Sequence, residues 1–331
     1  MTTASLANIS VPSESAIARA GALIRAGQLV AFPTETVYGL GADATNNDAV
    51  EAIFQAKSRP RFNPLIVHFA EVDDLLVHVE LDKRARTLAE QFWPGPLTLV
   101  VARKPSSTLS RLVSAGLDTV AIRLPSNHIA RALIASAGRP LAAPSANRSG
   151  EISPTTAHHV AQSLATTSAM ILNGGPTTLG IESTVMDLST AEATLLRPGA
   201  ITCEQIEPLI GALATPNENA SEGSEKSPGR QAQHYAPHHP LRINVTRPRT
   251  NELFLAFGPD IPAGASPTLN LSPCGDLIEA AANLYAMLHK LDSCAPDGIA
   301  VMPIPKSGLG SAINDRLARA VHPLPESPPE D

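Results

Sequence analysis

The stretch AIFQAKSRPRFNPLIVHFA, residues 52–70, joins the end of an amphipathic helix to a short apolar strand through a loop rich in cations and proline. Lys57, Arg59 and Arg61 lie within five positions of this loop, although only 17% of the chain is charged. Two prolines restrict the loop backbone. Open α/β sheets bind ligands at strand ends, so this helix–loop–strand unit indicates an α/β fold with a candidate anion site.

The cations of this loop allow two interpretations. Lys and Arg often end helices as solvated side chains, because the helix dipole favours positive charge there. A rigid loop that carries Lys57, Arg59 and the amide of Asn63 also suits phosphate oxygens, with Arg binding in a bidentate manner and Lys as a point charge. The pattern alone leaves both open.

Apolar periodicity divides the rest of the chain. Helical and strand patterns alternate without a strict β-α-β-α order, which predicts an α/β fold with a mixed twisted sheet covered by helices. We expect a first domain over residues 1–212, a polar linker over 213–240, a smaller α/β domain over 241–322 and a disordered tail over 323–331.

Composition limits the possible function classes. The net charge of −6 argues against a broad surface for nucleic acids. The cysteines Cys203, Cys274 and Cys294 lie far apart, as expected for reduced thiols rather than disulfides or structural zinc. No secretory signal pattern and no apolar run of about 18–20 residues is found. We therefore expect a soluble cytoplasmic protein.

Polar residues within apolar strands are further candidates. Arg123 lies inside TVAIRLP, where burial requires a carboxylate or phosphate partner, so it belongs either to a structural ion pair or to a binding site. His68 is either a satisfied core histidine or a ligand-binding group. His234, His238 and His239 lie close in sequence, but without nearby cysteines they are a weak candidate for a metal site. No GxxxxGK[ST] phosphate loop is present.

Seven motifs considered together carry a resemblance that none carries alone. In chain order they are FPTETVYGLG, KSRPRFNPLIVH, FWPGPLT, TVAIRLP, APSANRSG, GGPTTLGIESTVMD and LLRPG. Over roughly residues 15–210 the chain resembles the threonylcarbamoyl-AMP synthase family with its YrdC-like domain. The segments that follow resemble the long, two-domain form of that family.

This resemblance implies a fold and a reaction. The fold is an open, mixed α/β sheet around a concave positive cavity, followed by a small Rossmann-like domain. The reaction joins L-threonine, bicarbonate (or CO2) and ATP, with Mg2+ on the ATP phosphates, into threonylcarbamoyl-AMP and pyrophosphate. Downstream threonylcarbamoyl transferase proteins use the product to modify tRNA; whether this chain itself binds tRNA is left open.

The resemblance also implies site residues. Its KxR motif falls on Lys57 and Arg59 as catalytic cations. The nucleotide site falls on Arg59, Asn63, Thr119, Ser145, Asn147, Ser153, Arg197 and, from a linker that would act as a lid, Tyr235. The L-threonine site falls on Thr36, His68, Arg123, Ser183 and the backbone of Ala143. On this interpretation the partner of Arg123 is the substrate carboxylate.

Two other function classes are weighed against this one. A non-catalytic RNA-binding module would need wider basic surface and stacking aromatics, and the chain has 3% aromatic residues and a negative net charge. Carbamoyl transfer in hydrogenase maturation shares the YrdC-like domain. The zinc-finger cysteines that usually accompany that activity are absent from the sequence.

Overall fold

The computed structural model describes residues 8–167, 169–214, 234–261 and 268–321. The chain forms two compact units, one within residues 1–149 and 153–230 and the other within 150–152 and 231–331. Most of the predicted linker, residues 215–233, and the whole predicted tail lie outside the described residues.

The helices of the first unit begin at polar capping residues. The side-chain oxygen of Asn46, for example, accepts hydrogen bonds from the backbone nitrogens of Asp48 and Ala49, which otherwise lack partners in a first turn. The described helices are α1 (Glu14–Arg25), α2 (Asn47–Lys57), α3 (Val72–Leu76), α4 (Lys83–Phe92), α5 (His128–Ala137), α6 (Ala157–Ser163) and α7 (Cys203–Ile210).

The strands of the first unit form one mixed sheet, as predicted. They are β1 (Ile9–Ser10), β2 (Val30–Phe32), β3 (Gly39–Asp43), β4 (Ile66–His68), β5 (Leu97–Ala102), β6 (Thr119–Arg123), β7 (Leu141–Ala142), β8 (Met170–Leu172), β9 (Thr184–Asp187) and β10 (Thr194–Arg197). Their order is β1-β8-β2-β3-β7-β4-β6-β5-β9-β10. In the centre, β4 and β6 run parallel, β5 and β6 antiparallel, and β5 and β9 parallel.

The two faces of the central strands have different neighbours, because successive side chains of a strand point to opposite sides. One face packs on the large core and includes Val67, Leu99, Ile122 and Met186. Among the described residues, the opposite face carries a small apolar cluster, formed by Ile66, Val100, Ala121, Val185 and Leu196. Polar side chains can therefore occupy the ends of this second face.

Strand β3 is not predicted from the sequence, and two of its five residues are glycine. The structure explains them by close packing against Phe32: a Cβ atom at Gly41 would lie 2.7 Å from Cε1 of that ring. Glycine is needed here for space rather than for a turn. The short elements β1 and α3 are likewise unpredicted.

The second unit is a parallel α/β layer, which agrees with the predicted Rossmann-like domain. Its strands β11 (Leu241–Arg242), β12 (Glu252–Ala256), β13 (Thr268–Asn270) and β14 (Gly298–Val301) have the order β11-β14-β12-β13, with every pair parallel. Its described helices are α8 (Leu277–Asp292) and α9 (Leu309–Ala320).

Three residues interrupt the first unit and belong to the second. Glu151 forms an isolated parallel bridge with Ala236, and the backbone nitrogen of Ala236 donates to the carbonyl oxygen of Gly150 at 2.8 Å. The sequence prediction assigns residues 150–152 to the first domain, whereas here they lie with the second unit.

A helix that crosses a bilayer needs about 20 consecutive, mostly apolar residues. Among the described residues, no helix combines the length and apolar character needed to cross a bilayer.

Candidate active site

The central sheet brings predicted threonine-site residues together. His68 ends β4 and lies directly beside Arg123, which ends the parallel strand β6. Ser183 immediately precedes β9, and its hydroxyl lies 2.7 Å from that of Thr98 on β5. All four side chains are buried, with exposed fractions of 4% or less. Polar groups from four strands thus meet on the face with the small apolar cluster.

Arg123 is held by protein groups. One terminal nitrogen donates to Glu35 Oε1 at 2.6 Å, the other to the hydroxyl of Thr36 at 3.0 Å, and Nε donates to the carbonyl of Gly95 at 3.3 Å. The ion-pair interpretation of this arginine is therefore correct in this structure. Its predicted contact with a substrate carboxylate stays a prediction, because these bonds use three of the five N–H donors of a guanidinium.

Glu35 is the charged partner in this cluster. Its second carboxylate oxygen accepts from the backbone nitrogens of Ser126 and Asn127, just before α5. Burial alone would raise the pKa of Glu35, but the charge of Arg123 and these hydrogen bonds outweigh it, so the pKa of Glu35 lies below its ordinary value. Glu35 is thus a carboxylate at neutral pH.

His68 is an uncharged imidazole. Burial, followed by the positive charge of Arg123, lowers its pKa to about 3. Its Nδ1 lies 3.2 Å from the carbonyl oxygen of Ile66. The histidine can therefore offer shape and hydrogen bonding to a ligand at neutral pH, but no positive charge.

Lys57 turns inward at the end of α2, so the solvated interpretation is wrong for this side chain. It is 1% exposed, and its Nζ donates to the carbonyl oxygens of Ser145, at 2.6 Å, and Asn147. The backbone carbonyl of Lys57 also accepts from the amide of Ser149 at 2.9 Å. Residue 57 therefore binds the loop that carries the predicted Ser145 and Asn147.

Arg59 is also buried, and its guanidinium donates hydrogen bonds within its own loop. Its Nε donates to the carbonyl of Asn63 at 3.1 Å, and one terminal nitrogen donates to Asn63 Oδ1 at 2.5 Å and to the carbonyl of Pro64 at 2.8 Å. The Asn63 amide is fully buried, and among the described residues its Nδ2 has no hydrogen-bond partner. A buried donor of this kind suits an acceptor brought by a ligand. Arg61, by contrast, is exposed and pairs with Glu51.

Two more predicted nucleotide residues lie near Ser183. Arg197, at the end of β10, donates to the carbonyl of Ser183 at 3.2 and 3.0 Å and to its hydroxyl at 3.2 Å. Ser153 is buried and donates to Glu182 Oε1 at 2.6 Å. Glu182 thus places an acidic group one residue before Ser183.

Tyr38 connects the loops around these groups. Its backbone nitrogen donates to the carbonyl of Pro154 and its carbonyl accepts from Ala146, both within 2.9 Å. Its hydroxyl donates to the carbonyl of Gly175 at 2.7 Å. The segment from Thr36 to Tyr38 therefore spans from Arg123 to the loop that Lys57 binds.

The remaining predicted site residues are Thr119, Ala143 and Tyr235. Thr119 begins β6 on the same face as Arg123 but about 13 Å further along the strand. Ala143 follows β7, and its backbone nitrogen donates to the carbonyl of Ile66 at 2.9 Å. Tyr235 lies in the second unit, where its ring stacks on Tyr285 at 5.8 Å and Arg316 lies over it at 5.2 Å. Residues 215–233 of the predicted lid lie outside the described residues.

Three contributors to the site, Glu35, Thr98 and Glu182, are not among the site residues predicted from the sequence. Each is a polar residue inside or next to an apolar strand, the same signal that singled out Arg123. That signal identifies burial, but it does not say which buried groups meet.

The described residues contain no group of three or more His, Cys, Asp or Glu side chains that could hold a metal ion. The positively charged side chains of Arg59 and Arg197 at the nucleotide end suit phosphate oxygens rather than a metal ion. Mg2+ carried by ATP phosphates stays a prediction.

Comparison with known proteins gives the family. A family model for Sua5, YciO and YrdC, described as "Telomere recombination", matches residues 22–199. A second, described as "Threonylcarbamoyl-AMP synthase, C-terminal domain", matches residues 201–321. The chain belongs to the threonylcarbamoyl-AMP synthase family. The resemblance found in the motifs is thereby confirmed, and the chain is an enzyme rather than an RNA-binding module.

Two members of the threonylcarbamoyl-AMP synthase family match this chain over most of their own length. The Bacillus subtilis threonylcarbamoyl-AMP synthase is 45% identical over 321 residues, covering 92% of each chain. That of Pyrococcus abyssi is 42% identical, covering 91% of this chain and 92% of its own. The crystal structure of P. abyssi Sua5 complexed with L-threonine has a TM-score of 0.85 at 39% identity, covering 95% of this chain and 97% of that one.

Proposed function

We propose that this protein condenses L-threonine, bicarbonate (or CO2) and ATP into threonylcarbamoyl-AMP, with release of pyrophosphate. The observation that carries the proposal is the buried group of His68, Arg123 and Ser183 on one face of the central sheet, in a member of this family. The loop that carries Arg59 leads directly into β4 and so adjoins this group.

The threonine end of the proposed site rests on Arg123. A substrate carboxylate can bind the two N–H donors that the contacts with Glu35, Thr36 and Gly95 leave over. His68 and Ser183 would add neutral hydrogen-bonding groups. The crystal structure of a relative with L-threonine supports an amino-acid substrate.

The nucleotide end rests on Arg59 and Arg197, with Asn63, Thr119, Ser145, Asn147, Ser153 and Tyr235 as further predicted contacts. Both arginines are buried and held by backbone carbonyls, so their positive charge is fixed before a ligand arrives. Fixed charge of this kind stabilises negative charge that develops during phosphoryl chemistry. We infer that Mg2+ enters with ATP, where it would neutralise phosphate charge.

The chemistry proceeds in two bond-forming steps. The threonine nitrogen attacks CO2, a C–N bond forms, and the nitrogen loses a proton to give a carbamate. A carbamate oxygen then attacks the α-phosphorus, and the bond to the β-phosphate oxygen breaks, so that pyrophosphate leaves. Both reactants are anions, so the role of the chain is to hold them together against their repulsion and to exclude water.

The product is a reactive acyl adenylate, which fits a role as an intermediate. We propose that threonylcarbamoyl transferase proteins take it up to modify tRNA. We further propose that this occurs in the cytoplasm, where the free thiols Cys203, Cys274 and Cys294 would stay reduced.

The direct test is pyrophosphate release by the purified chain with ATP, Mg2+, bicarbonate and L-threonine. We expect release that depends on both threonine and bicarbonate, together with threonylcarbamoyl-AMP detected by mass spectrometry. Folded protein that releases no pyrophosphate under these conditions would overturn the proposal.

Variants separate the two ends of the site. Arg123→Lys keeps a positive charge beside Glu35 but loses the planar fork of N–H donors, so it should raise KM for threonine about 10-fold or more. Arg59→Ala should act chiefly on KM for ATP. The matched control is Arg61→Ala, which removes an exposed arginine from the same loop and should leave both values within about twofold. Equal effects of all three variants would contradict the assignment.

A further inference from the structure

The ammonium of Lys57 is already bound to backbone oxygens of the same protein. It is 1% exposed, and its Nζ donates to the carbonyls of Ser145 and Asn147. The side-chain oxygen of Asn147 lies 3.5 Å from the same nitrogen. An ammonium has three N–H donors, so each of them has an oxygen of this loop within reach.

The main chain of Lys57 strengthens the same connection. Its carbonyl accepts from the amide of Ser149, so side chain and backbone of one residue hold both ends of the segment 145–149. On the other side, the amide of Ala146 donates to the carbonyl of Tyr38. The loop is thus held between the end of α2 and the segment that leads into β3.

The two short contacts of the Lys57 ammonium are to the backbone carbonyls of Ser145 and Asn147, so a phosphate oxygen that took either of these N–H donors would have to replace a carbonyl of the loop. Breaking these bonds would release the loop that they hold, which is costly. Arg59 and Arg197 can supply positive charge to phosphates without releasing this loop.

We infer that Lys57 is a positioning residue, which acts by holding Ser145 and Asn147 in place and does not itself contact the ATP phosphates. This inference rests on the proposed function, because that function assigns Ser145 and Asn147 to ATP. It differs from the role of a catalytic point charge that the sequence motif suggests.

Two neutral variants of matched length separate these roles. Lys57→Met removes both the charge and the N–H donors, whereas Lys57→Gln removes the charge and keeps two N–H donors that can reach carbonyls. If Lys57 holds the loop, Lys57→Gln should keep turnover within roughly tenfold of the wild type, and Lys57→Met should lose roughly 100-fold or more. Equal loss in the two variants would overturn the inference, because it would mean that the charge alone matters.

Hydrogen exchange in the absence of nucleotide tests the loop directly. In Lys57→Met the amides of Ala146 and Ser149 should exchange at least about tenfold faster than in the wild type, and in Lys57→Gln less than about threefold faster. Arg61→Ala is the control for removal of a neighbouring cation and should change neither amide. Unchanged exchange in Lys57→Met would overturn the inference and leave the proposed function intact.

Reductive methylation of the wild-type protein tests the inference even if the Lys57 variants do not fold. During reductive methylation, Lys57 should react at least about tenfold more slowly than the exposed Lys83, with or without ATP and Mg2+, because its ammonium is buried and bonded. Labelling of Lys57 as fast as Lys83 in the free protein, with protection by ATP, would overturn the inference. Failure of the proposed function would appear separately, as no pyrophosphate release by the wild type.

Discussion

Glu35 and Arg123 form a buried pair of opposite charges at the threonine end of the site. Their side chains are 8% and 4% exposed, and the closest oxygen and nitrogen lie 2.6 Å apart. A buried charge without its partner is strongly unfavourable, so each residue depends on the other. The backbone carbonyl of Glu35 also accepts from the amide of Leu179, which ties the loop before Ser183 to the same turn.

Replacing Glu35 therefore tests how strongly this pair stabilises the fold. We expect Glu35→Ala to lower the free energy of unfolding by about 3–5 kcal/mol, measured by urea titration at pH 7. Glu51→Ala removes the partner of the exposed Arg61 and should cost about 1 kcal/mol or less. A similar loss in the two variants would contradict the buried-pair argument.

His68 should make the protein less stable in acid. Its pKa is lowered from 6.5 to about 3, so between these values the unfolded chain binds a proton that the folded protein does not. Stability is then lost as pH falls below about 6.5, by up to 1.4 kcal/mol per pH unit. In His68→Asn this part of the pH dependence should disappear between pH 6.5 and about 5.

Urea titrations at several pH values measure this difference in slope. The exposed His158, replaced by Gln, provides the control, and its slope should match that of the wild type within error. A His68→Asn slope that equals the wild-type slope would mean that His68 titrates normally in the folded protein.

At the scale of elements, the turn after β10 is fitted closely to the strand beside it. A Cβ atom at Gly199 would lie 2.5 Å from the carbonyl carbon of Ser183 and 2.6 Å from the carbonyl oxygen of Glu182. Both distances are shorter than real Cβ contacts, and both obstacles are backbone. The glycine of LLRPG thus lets β10 approach β9 closely enough for Arg197 to reach Ser183.

Gly199→Ala should push these elements apart. We expect a loss of about 1–3 kcal/mol of stability and a clear fall in turnover, because Ser183 and Arg197 move together with the backbone. Thermal unfolding and pyrophosphate release measure the two effects. Ala200→Ser changes the next, partly exposed residue and should leave both nearly unchanged; the same result for Gly199→Ala would show that the turn can relax.

The elements that sequence predicts well are those with local signals. Helix α1, for example, has its N-cap at Ser13 and ends at Arg25, two residues before Gly27, so residues next to it in sequence define both of its ends. Strand β3 was missed because its glycines are explained by Phe32, a neighbour on another strand. The same limit applies to site residues. Motifs identify Lys57 and Arg123, but their hydrogen-bond partners lie in segments distant in sequence, so only the folded structure identifies them.

At the scale of the whole molecule, each unit has a hydrophobic core of its own. In the second unit the core includes Phe254 and Ala300, and Leu284 and Leu288 of α8 are buried as well. The first unit is built around the large core that includes Leu99. Composition predicted this division into two parts, since the polar stretch between them lacks any apolar period.

Truncating a core side chain should therefore destabilise chiefly the unit to which that side chain belongs. Leu284→Ala should cost about 2–5 kcal/mol and speed amide exchange first in β11–β14, whereas Leu99→Ala should do so first in β4, β5 and β6. Exchange followed by mass spectrometry compares the two variants. Equal acceleration throughout the chain in both would show that the protein unfolds as a single cooperative body.

Residues 150–152 belong to the second unit although they lie inside the sequence of the first. The two units therefore cannot be expressed separately by cutting the gene at a single position. A fragment that starts within the polar stretch, before Ala236, would have no Gly150 carbonyl for the amide of Ala236 and no Glu151 to bridge it. A fragment that ends before that stretch would carry these three residues without their partners. Clean separation of the halves therefore requires two junctions, with a designed replacement between Ser149 and Ser153, rather than one cut.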